Sequence, residues 1–275
     1  MATFNPYEKI IVALDNMNKE QALALVSQFK GRPVKYKIGM ELFAIAGLEI
    51  VQKVHDSGAY VFFDQKYKDI VNTVKGASKA AANLKVDLFN VHAMMGLENL
   101  KSAKAGVVEA GREGLTKVIA VTLLTDHDKY DLKLLGINEP VEDYIIRLAN
   151  LAKHADLDGV VSSPRELPAM RYILGDNATL ITPGIQPAFA AATEQKRVTT
   201  PAEAIENGAD KMVIGRAITK AENPSKALDM IAEEIRVAMP NHGIKTLSSR
   251  DRTVVDETLR LRNMEIAEYY KSRSK

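Results

Sequence analysis

The 275-residue sequence predicts an α/β protein of the (β/α)8 class, a TIM barrel, carrying an extra C-terminal helical tail. Three observations point there. Eight short apolar, β-branched runs alternate with longer amphipathic stretches, the rhythm of repeated βα units and a parallel sheet. The runs are continuously apolar, as expected where helices cover the sheet's outer face. Their spacing is fairly even, which favours closure over an open doubly wound sheet, and the length is close to the roughly 250 residues of a typical barrel.

The strands are expected at residues 10–14, 36–38, 60–63, 88–91, 118–123, 159–161, 179–182 and 212–214. Between them, Asn18-Lys19-Glu20 starts an amphipathic run that reaches Phe29 and stops at Gly31-Arg32-Pro33. Thr200-Pro201-Ala202-Glu203 reads as an N-cap followed by proline at the first helical position. Asn223-Pro224 opens another helix with Leu228, Ile231 and Ile235 on one face. The barrel is assigned to residues 1–239. Residues 240–275 form a charged helical tail, with a break at Pro240-Asn241-His242-Gly243 and sparse apolar points at Val254, Leu259 and Ile266. This tail is a solvated charged helix, a helix docked on the barrel or on a dimer, or a fusion remnant.

Composition narrows the function. Lys+Arg 37 against Asp+Glu 35 leaves a net charge of only +2, which argues against nucleic acid as the main ligand. The absence of cysteine excludes disulfide and thiolate chemistry. No apolar run approaches the roughly 18 residues needed to span a bilayer, so no membrane partner is expected and a cytoplasmic location is the default.

Charge at strand ends marks the candidate site. The third strand runs Val61-Phe62-Phe63-Asp64-Gln65-Lys66, and alternation puts Asp64 and Lys66 on one face at the C-terminal end, where barrel enzymes keep their chemistry. Side by side, each stabilises the ionised form of the other. Lys37 lies in the otherwise apolar run Tyr36-Lys37-Ile38-Gly39, and Asp15 ends the first strand. Asp69 follows Asp64 by five residues, beyond the strand. It joins the same site only if the loop doubles back, or else reaches a site in a neighbouring subunit.

Two late segments have the character of phosphate-binding parts. Ile214-Gly215-Arg216 follows the eighth strand, where barrels often bind phosphate and where arginine offers a fork for its oxygens. Thr182-Pro183-Gly184-Ile185-Gln186-Pro187 follows the seventh. His92 ends the fourth strand and reads as a hydrogen-bonded core histidine, since no second ligand stands at metal spacing.

Together these segments resemble the orotidine 5′-phosphate decarboxylase family in its bacterial-like form, over about residues 10–218. The resemblance rests on Ala13-Leu14-Asp15, Lys37-Ile38-Gly39, Asp64-x-Lys66-x-x-Asp69-Ile70-x-Asn72-Thr73 and Asn90-Val91-His92-Ala93. It continues through Val121-Thr122-x-Leu124-Thr125, Thr182-Pro183-Gly184-Ile185, Gln195-Lys196-Arg197-Val198-x-Thr200-Pro201 and Ile214-Gly215-Arg216. It implies loss of the C6 carboxylate of orotidine 5′-phosphate to give uridine 5′-phosphate, with no metal or organic cofactor. In this reading Lys37, Asp64, Lys66 and Asp69 are catalytic, Lys66 donating the proton and Asp64 lying against the departing carboxylate. Lys37 and Asp15 hold the ribose hydroxyls and Thr125 the pyrimidine. Gln195, Gly215 and Arg216 take the phosphate end, and Ile70 and Gln186 complete the binding set. Asp69 and Thr73 come from the partner subunit of a homodimer.

The motif Asp64-x-Lys66-x-x-Asp69 is shared with sister barrels acting on sugar phosphates, such as metal-dependent hexulose-phosphate synthases. Asn72-Thr73 and the Gln195 segment point to the decarboxylase branch. Several positions depart from the usual bacterial pattern: Gln65 for leucine, Lys68 for histidine, Val71 for proline and Gln186 for arginine, with Met94-Met95-Gly96 in place of a small-residue turn. The change at Gln186 removes a positive charge from the phosphate pocket. It is the main support for a third reading, a non-catalytic nucleotide-binding barrel.

Overall fold

The computed structural model describes residues 4–190, 199–241 and 245–273. All eight expected strands form and close into a parallel barrel in sequence order. They are β1 (Ile10–Ala13), β2 (Lys35–Gly39), β3 (Tyr60–Tyr67), β4 (Leu88–His92), β5 (Lys117–Val121), β6 (Gly159–Val161), β7 (Thr179–Thr182) and β8 (Lys211–Ile214). Three of the connecting helices open on capping boxes. Asn18 Oδ1 accepts from the Gln21 amide and the Asn18 amide donates back to Gln21 Oε1, opening α1 (Lys19–Gln28) with a capping box. Helices α2 (Met40–Asp56), α3 (Val71–Asn83) and α4 (Leu97–Glu109) follow their strands. A longer excursion separates β5 from β6: a short helix, α5 (Lys129–Leu134), precedes α6 (Val141–His154). Beyond β6 come α7 (Leu167–Leu174) and α8 (Pro201–Glu206), the latter capped by a Thr200–Glu203 box. A single turn, α9 (Arg216–Thr219), then leads to α10 (Pro224–Asn241), whose Leu228, Ile231 and Ile235 are fully buried. Helix α10 runs to Asn241, slightly past the break expected at Pro240.

The barrel interior is layered. Ile11, Phe62, Leu88, Ile119 and Ile181 form an apolar plug, with Val161 and Val213 packed against it. Because side chains alternate along a strand, the residues two positions on share this inward face at the C-terminal mouth. These are Ala13, Asp64, Asn90 and Val121, and they line a cavity there.

At the opposite rim three aspartates repeat one device. The Asp87 amide donates to the Val61 carbonyl, and Asp87 Oδ2 accepts from the Val61 amide at 2.7 Å. Asp158 does the same with Val118 (2.8 Å) and Asp210 with Leu180 (2.8 Å). Each aspartate, standing just before an even-numbered strand, clips the strand before it.

The tail is an eleventh helix, α11 (Ser249–Arg273), docked across α6. Val255, Thr258 and Ile266 are its buried residues. Of the apolar points expected from sequence, Ile266 is buried and Leu259 packs against the core, but Val254 is exposed and its neighbour Val255 takes the inward position. Ionic contacts fasten the docking. Glu139 accepts from Arg147 (2.7 Å) and Arg262 (2.9 Å), while Glu265 accepts from the same two arginines (2.6 and 2.7 Å). Two carboxylates and two guanidiniums thus form a closed ring joining α6, α11 and the end of the α5–α6 loop. Among the described residues no helix is long and apolar enough to cross a membrane.

Candidate active site

The C-terminal mouth holds a cavity of about 820 Å³, within the usual range for small-molecule sites. Its floor is a chain of alternating charges. Lys37 Nζ donates to Asp15 Oδ1 at 2.8 Å and lies 3.1 Å from Asp64 Oδ2. Lys66 Nζ donates to Asp64 Oδ1 at 2.6 Å. The run Asp15–Lys37–Asp64–Lys66 therefore crosses three adjacent strands without a gap.

Asp64 and Lys66 share the pocket as expected, but plain strand alternation does not hold at Lys66. The β3–β4 ladder pairs Phe63 with Phe89 and next pairs Tyr67 with Val91, so β3 bulges between them. Lys66 has a φ of 49°, and its amide donates to Asn90 Oδ1 (2.8 Å) instead of to the ladder. A left-handed non-glycine residue at a barrel mouth is a local strain of the kind functional sites retain. Asn90 is the residue that sequence reasoning missed. It supports that bulge with its oxygen, and its Nδ2 donates to Asp64 Oδ1 at 2.7 Å. Its place inside the Asn90-Val91-His92 segment, two residues above Leu88 on the inward face, was the available signal.

Burial and charge compete here, and charge wins. Lys37 is 7% exposed and Asp64 6%. Burial alone would push the Lys37 ammonium down, but Asp64 and Asp15 outweigh it and hold its pKa above the ordinary lysine value. Burial would likewise raise Asp64, yet Lys37, Lys66 and the Asn90 amide hold it below the usual carboxylate range. Both groups are ionised at neutral pH.

Gly39 is the second missed residue. A Cβ there would stand 2.8 Å from Asp15 Oδ1 and 2.9 Å from Lys37 Nζ, so the Asp15–Lys37 contact occupies the space a side chain would need.

The remaining expected residues divide into two groups. Thr125, Gln186, Gly215 and Arg216 line the same cavity, joined by Lys220, which the sequence reading had not singled out. Arg216 makes no ion pair among the described residues. Gln186 donates to the Ala190 carbonyl at 3.4 Å. Asp69, Ile70 and Thr73 do not line this cavity. All three are exposed, Ile70 by 70%, and among the described residues Asp69 accepts from its neighbour Ile70's amide (2.7 Å). Gln195 lies outside the described residues. His92 is half-buried, but among the described residues its Nδ1 has no hydrogen-bond partner, so it is not the satisfied histidine expected. Burial, then Lys66 and Lys68, lower its pKa. Among the described residues no group of three His, Cys, Asp or Glu side chains is arranged to hold a metal ion.

The model of the Orotidine 5′-phosphate decarboxylase / HUMPS family matches residues 8–231, most of the chain. The chain belongs to this family. Among curated members, Orotidine 5′-phosphate decarboxylase of Halorhodospira halophila is 44% identical over 84% of this chain and 97% of its own. That of Pelobacter propionicus is 42% identical over 85% of this chain and 97% of its own. The crystal structure of Orotidine 5′-phosphate decarboxylase from Lactobacillus acidophilus superposes with a TM-score of 0.72 at 37% identity, covering 82% of this chain and 98% of that one. The family match ends before α11.

Proposed function

We propose that this chain decarboxylates orotidine 5′-phosphate to uridine 5′-phosphate, a cytoplasmic step of pyrimidine nucleotide synthesis, with Lys66 as the proton donor. The observation that carries the reading is the unbroken Asp15–Lys37–Asp64–Lys66 chain on the cavity floor, with Arg216 lining the same cavity. Arg216 and Gly215 bind the phosphate, with Gln186 as a neutral donor beside them. Thr125 meets the pyrimidine, and Asp15 and Lys37 hold the ribose hydroxyls. The substrate carboxylate then lies against Asp64. The bond from C6 to the carboxylate carbon breaks, its electron pair stays on C6, carbon dioxide departs, and C6 takes its proton from Lys66 Nζ.

Each part has a physical reason. Charge developing on C6 is poorly delocalised by the ring, so a cation fixed in advance supplies the stabilisation. Asp64 makes the substrate carboxylate costly to hold and loses that conflict as carbon dioxide leaves. Binding energy at the distant phosphate offsets this cost. The reaction written this way uses no metal or organic cofactor.

The same reading makes the enzyme a homodimer in which Asp69 and Thr73 enter the partner's cavity. Their exposure beside the exposed apolar Ile70 and Val71 supports it. The test is the loss of orotidine 5′-phosphate absorbance with purified protein; turnover no greater than that of Lys66→Ala would reject the activity. Mixing Lys66→Ala with Asp69→Ala at equal amounts should restore about a quarter of wild-type activity, because half the dimers are then mixed and each carries one intact site. Subunit exchange without any recovery would reject the shared site.

A further inference from the structure

The far end of the barrel carries a second cluster of charge that decarboxylation does not use. Stepping back two residues along each strand from the apolar plug reaches the opposite mouth. Lys9 precedes Ile11, Lys117 precedes Ile119 and Lys211 precedes Val213. Lys35 stands two residues before Lys37 on the same inward face of β2. Four lysines therefore share the N-terminal mouth. Among the described residues their ammonium groups meet uncharged acceptors, an aromatic ring and, between Lys35 and Lys211, each other. Lys211 Nζ donates to the Glu8 carbonyl (2.7 Å), Lys117 Nζ to Thr179 Oγ1 (2.8 Å) and Lys9 Nζ to the Ala209 carbonyl (3.5 Å). Lys35 Nζ sits 4.0 Å above the Tyr60 ring. Among the described residues none of the four comes within 4.0 Å of a carboxylate, although ion pairs are common elsewhere on the surface.

The reason is that the acids of this rim are occupied. Asp87, Asp158 and Asp210 are held by the strand amides they clip, and Asp158 and Asp210 are also paired with Lys104 and Arg171 at 2.7 Å each. Glu8 is exposed. Like charge acts within the cluster, Lys35 and Lys9 on Lys211 and Lys117 on Lys35, although Lys35 also shares a hydrogen bond with Lys211. Lys211 is pushed down to about 8 by burial first and then by Lys35 and Lys9, while burial lowers Lys9 and Lys35 despite the attraction of Asp210, Asp87 and Glu8. Half-buried cations that are neither paired nor fully hydrated are expensive. Exposed Lys117 and Tyr60 leave the mouth open, and a cleft of about 790 Å³ reaching Lys35 and Tyr60 adjoins it between α1 and α2.

We infer that the N-terminal mouth of the barrel is a binding site for a phosphate group, held by Lys9, Lys35 and Lys211 with Lys117 at the rim. A dianion placed there offsets the like charge and supplies the anionic acceptor the ammonium groups lack. The site is separated from the decarboxylation cavity by the apolar plug, so it tunes stability without touching the reaction.

The test is thermal unfolding at pH 7 and fixed ionic strength, in an Arg216→Ala background that weakens phosphate binding at the other mouth. At tenfold excess over the dissociation constant, inorganic phosphate should raise the midpoint by about 3–5 °C. The added substitutions Lys35→Met and Lys211→Met should abolish that shift while raising the midpoint in phosphate-free buffer. Introduced into the wild-type chain, they should leave turnover unchanged. If the double variant fails to fold, Lys35→Gln alone should reduce the shift at least by half. A shift with ribose 5-phosphate but not with inorganic phosphate would assign the site to phosphate monoesters. No shift with either, or a shift equal in the lysine variants, would overturn the inference.

Discussion

Replacing Gly39 with alanine isolates what the Asp15–Lys37 contact contributes. Gly39 has φ −83° and ψ 176°, a conformation alanine adopts freely, so the substitution changes sterics and not backbone strain. The new Cβ would sit 2.8 Å from Asp15 Oδ1 and 2.9 Å from Lys37 Nζ. Both atoms end flexible side chains, so they move apart rather than unfold the protein. Lengthening their 2.8 Å contact by about 1 Å weakens the attraction by roughly 1.5 kcal/mol at an effective dielectric constant of about 20. Asp15 is 41% exposed, and solvent screening trims that figure. A three- to tenfold loss in kcat/KM for orotidine 5′-phosphate is therefore expected, with a thermal midpoint within about 2 °C of wild type. Steady-state absorbance kinetics on the folded variant measure it. Wild-type kcat/KM would refute the reasoning, since the contact would then be idle in catalysis.

Other perturbations test the surrounding network. Asn90→Ala removes one bond to Asp64 and one from the Lys66 amide; with hydrogen bonds to charged groups worth about 1.5–3 kcal/mol, kcat should fall roughly 10- to 100-fold, and an unchanged kcat would count against a role for the bulge. Stability should respond to pH at both extremes, read from urea midpoints. Asp64, lowered from 3.8, contributes stability that is complete above that value and is lost as pH falls through its lower folded pKa. Lys37, raised from 10.5, contributes stability that is complete below that value and is lost as pH rises through its higher folded pKa. In the ionic ring, Arg262→Met leaves Glu139 and Glu265 sharing Arg147 alone and should cost about 1–2 kcal/mol in denaturant unfolding; Arg262→Lys should recover only part of it, because an ammonium lacks the fork that spans two carboxylates.

Much of this molecule can be read from its residues, and the boundary of what can be read is physical. Strand and helix starts were legible because local chemistry sets them: Asn18, Thr200 and Pro224 each act within a turn of their own position. Asp15, Lys37, Asp64 and Lys66 stood out because charge at the end of an apolar strand is costly without a purpose. The bulge at Lys66 was not legible, since it depends on an Asn90 side chain 24 residues away. The docking of α11 was hidden for a similar reason. The helix is charged on nearly every side, and its buried face is selected by partners on α6. That is why Val255, and not Val254, turned inward.

The three aspartate clips also describe how such a barrel can be assembled. They span 26, 40 and 30 residues, each tying an odd strand to the even strand that follows. Loops of that length close at modest entropic cost, whereas joining β1 to β8 brings together Ile10 and Met212 from nearly opposite ends of the chain. Three of the barrel's four two-strand units are thus stitched locally, and one distant seam closes the cylinder. The first pair, β1–β2, has no clip: Val34 stands where the other pairs carry aspartate. In a chain emerging residue by residue, the stitched units can form as they appear, and the cylinder closes only once β8 reaches the waiting, unclipped edge of β1.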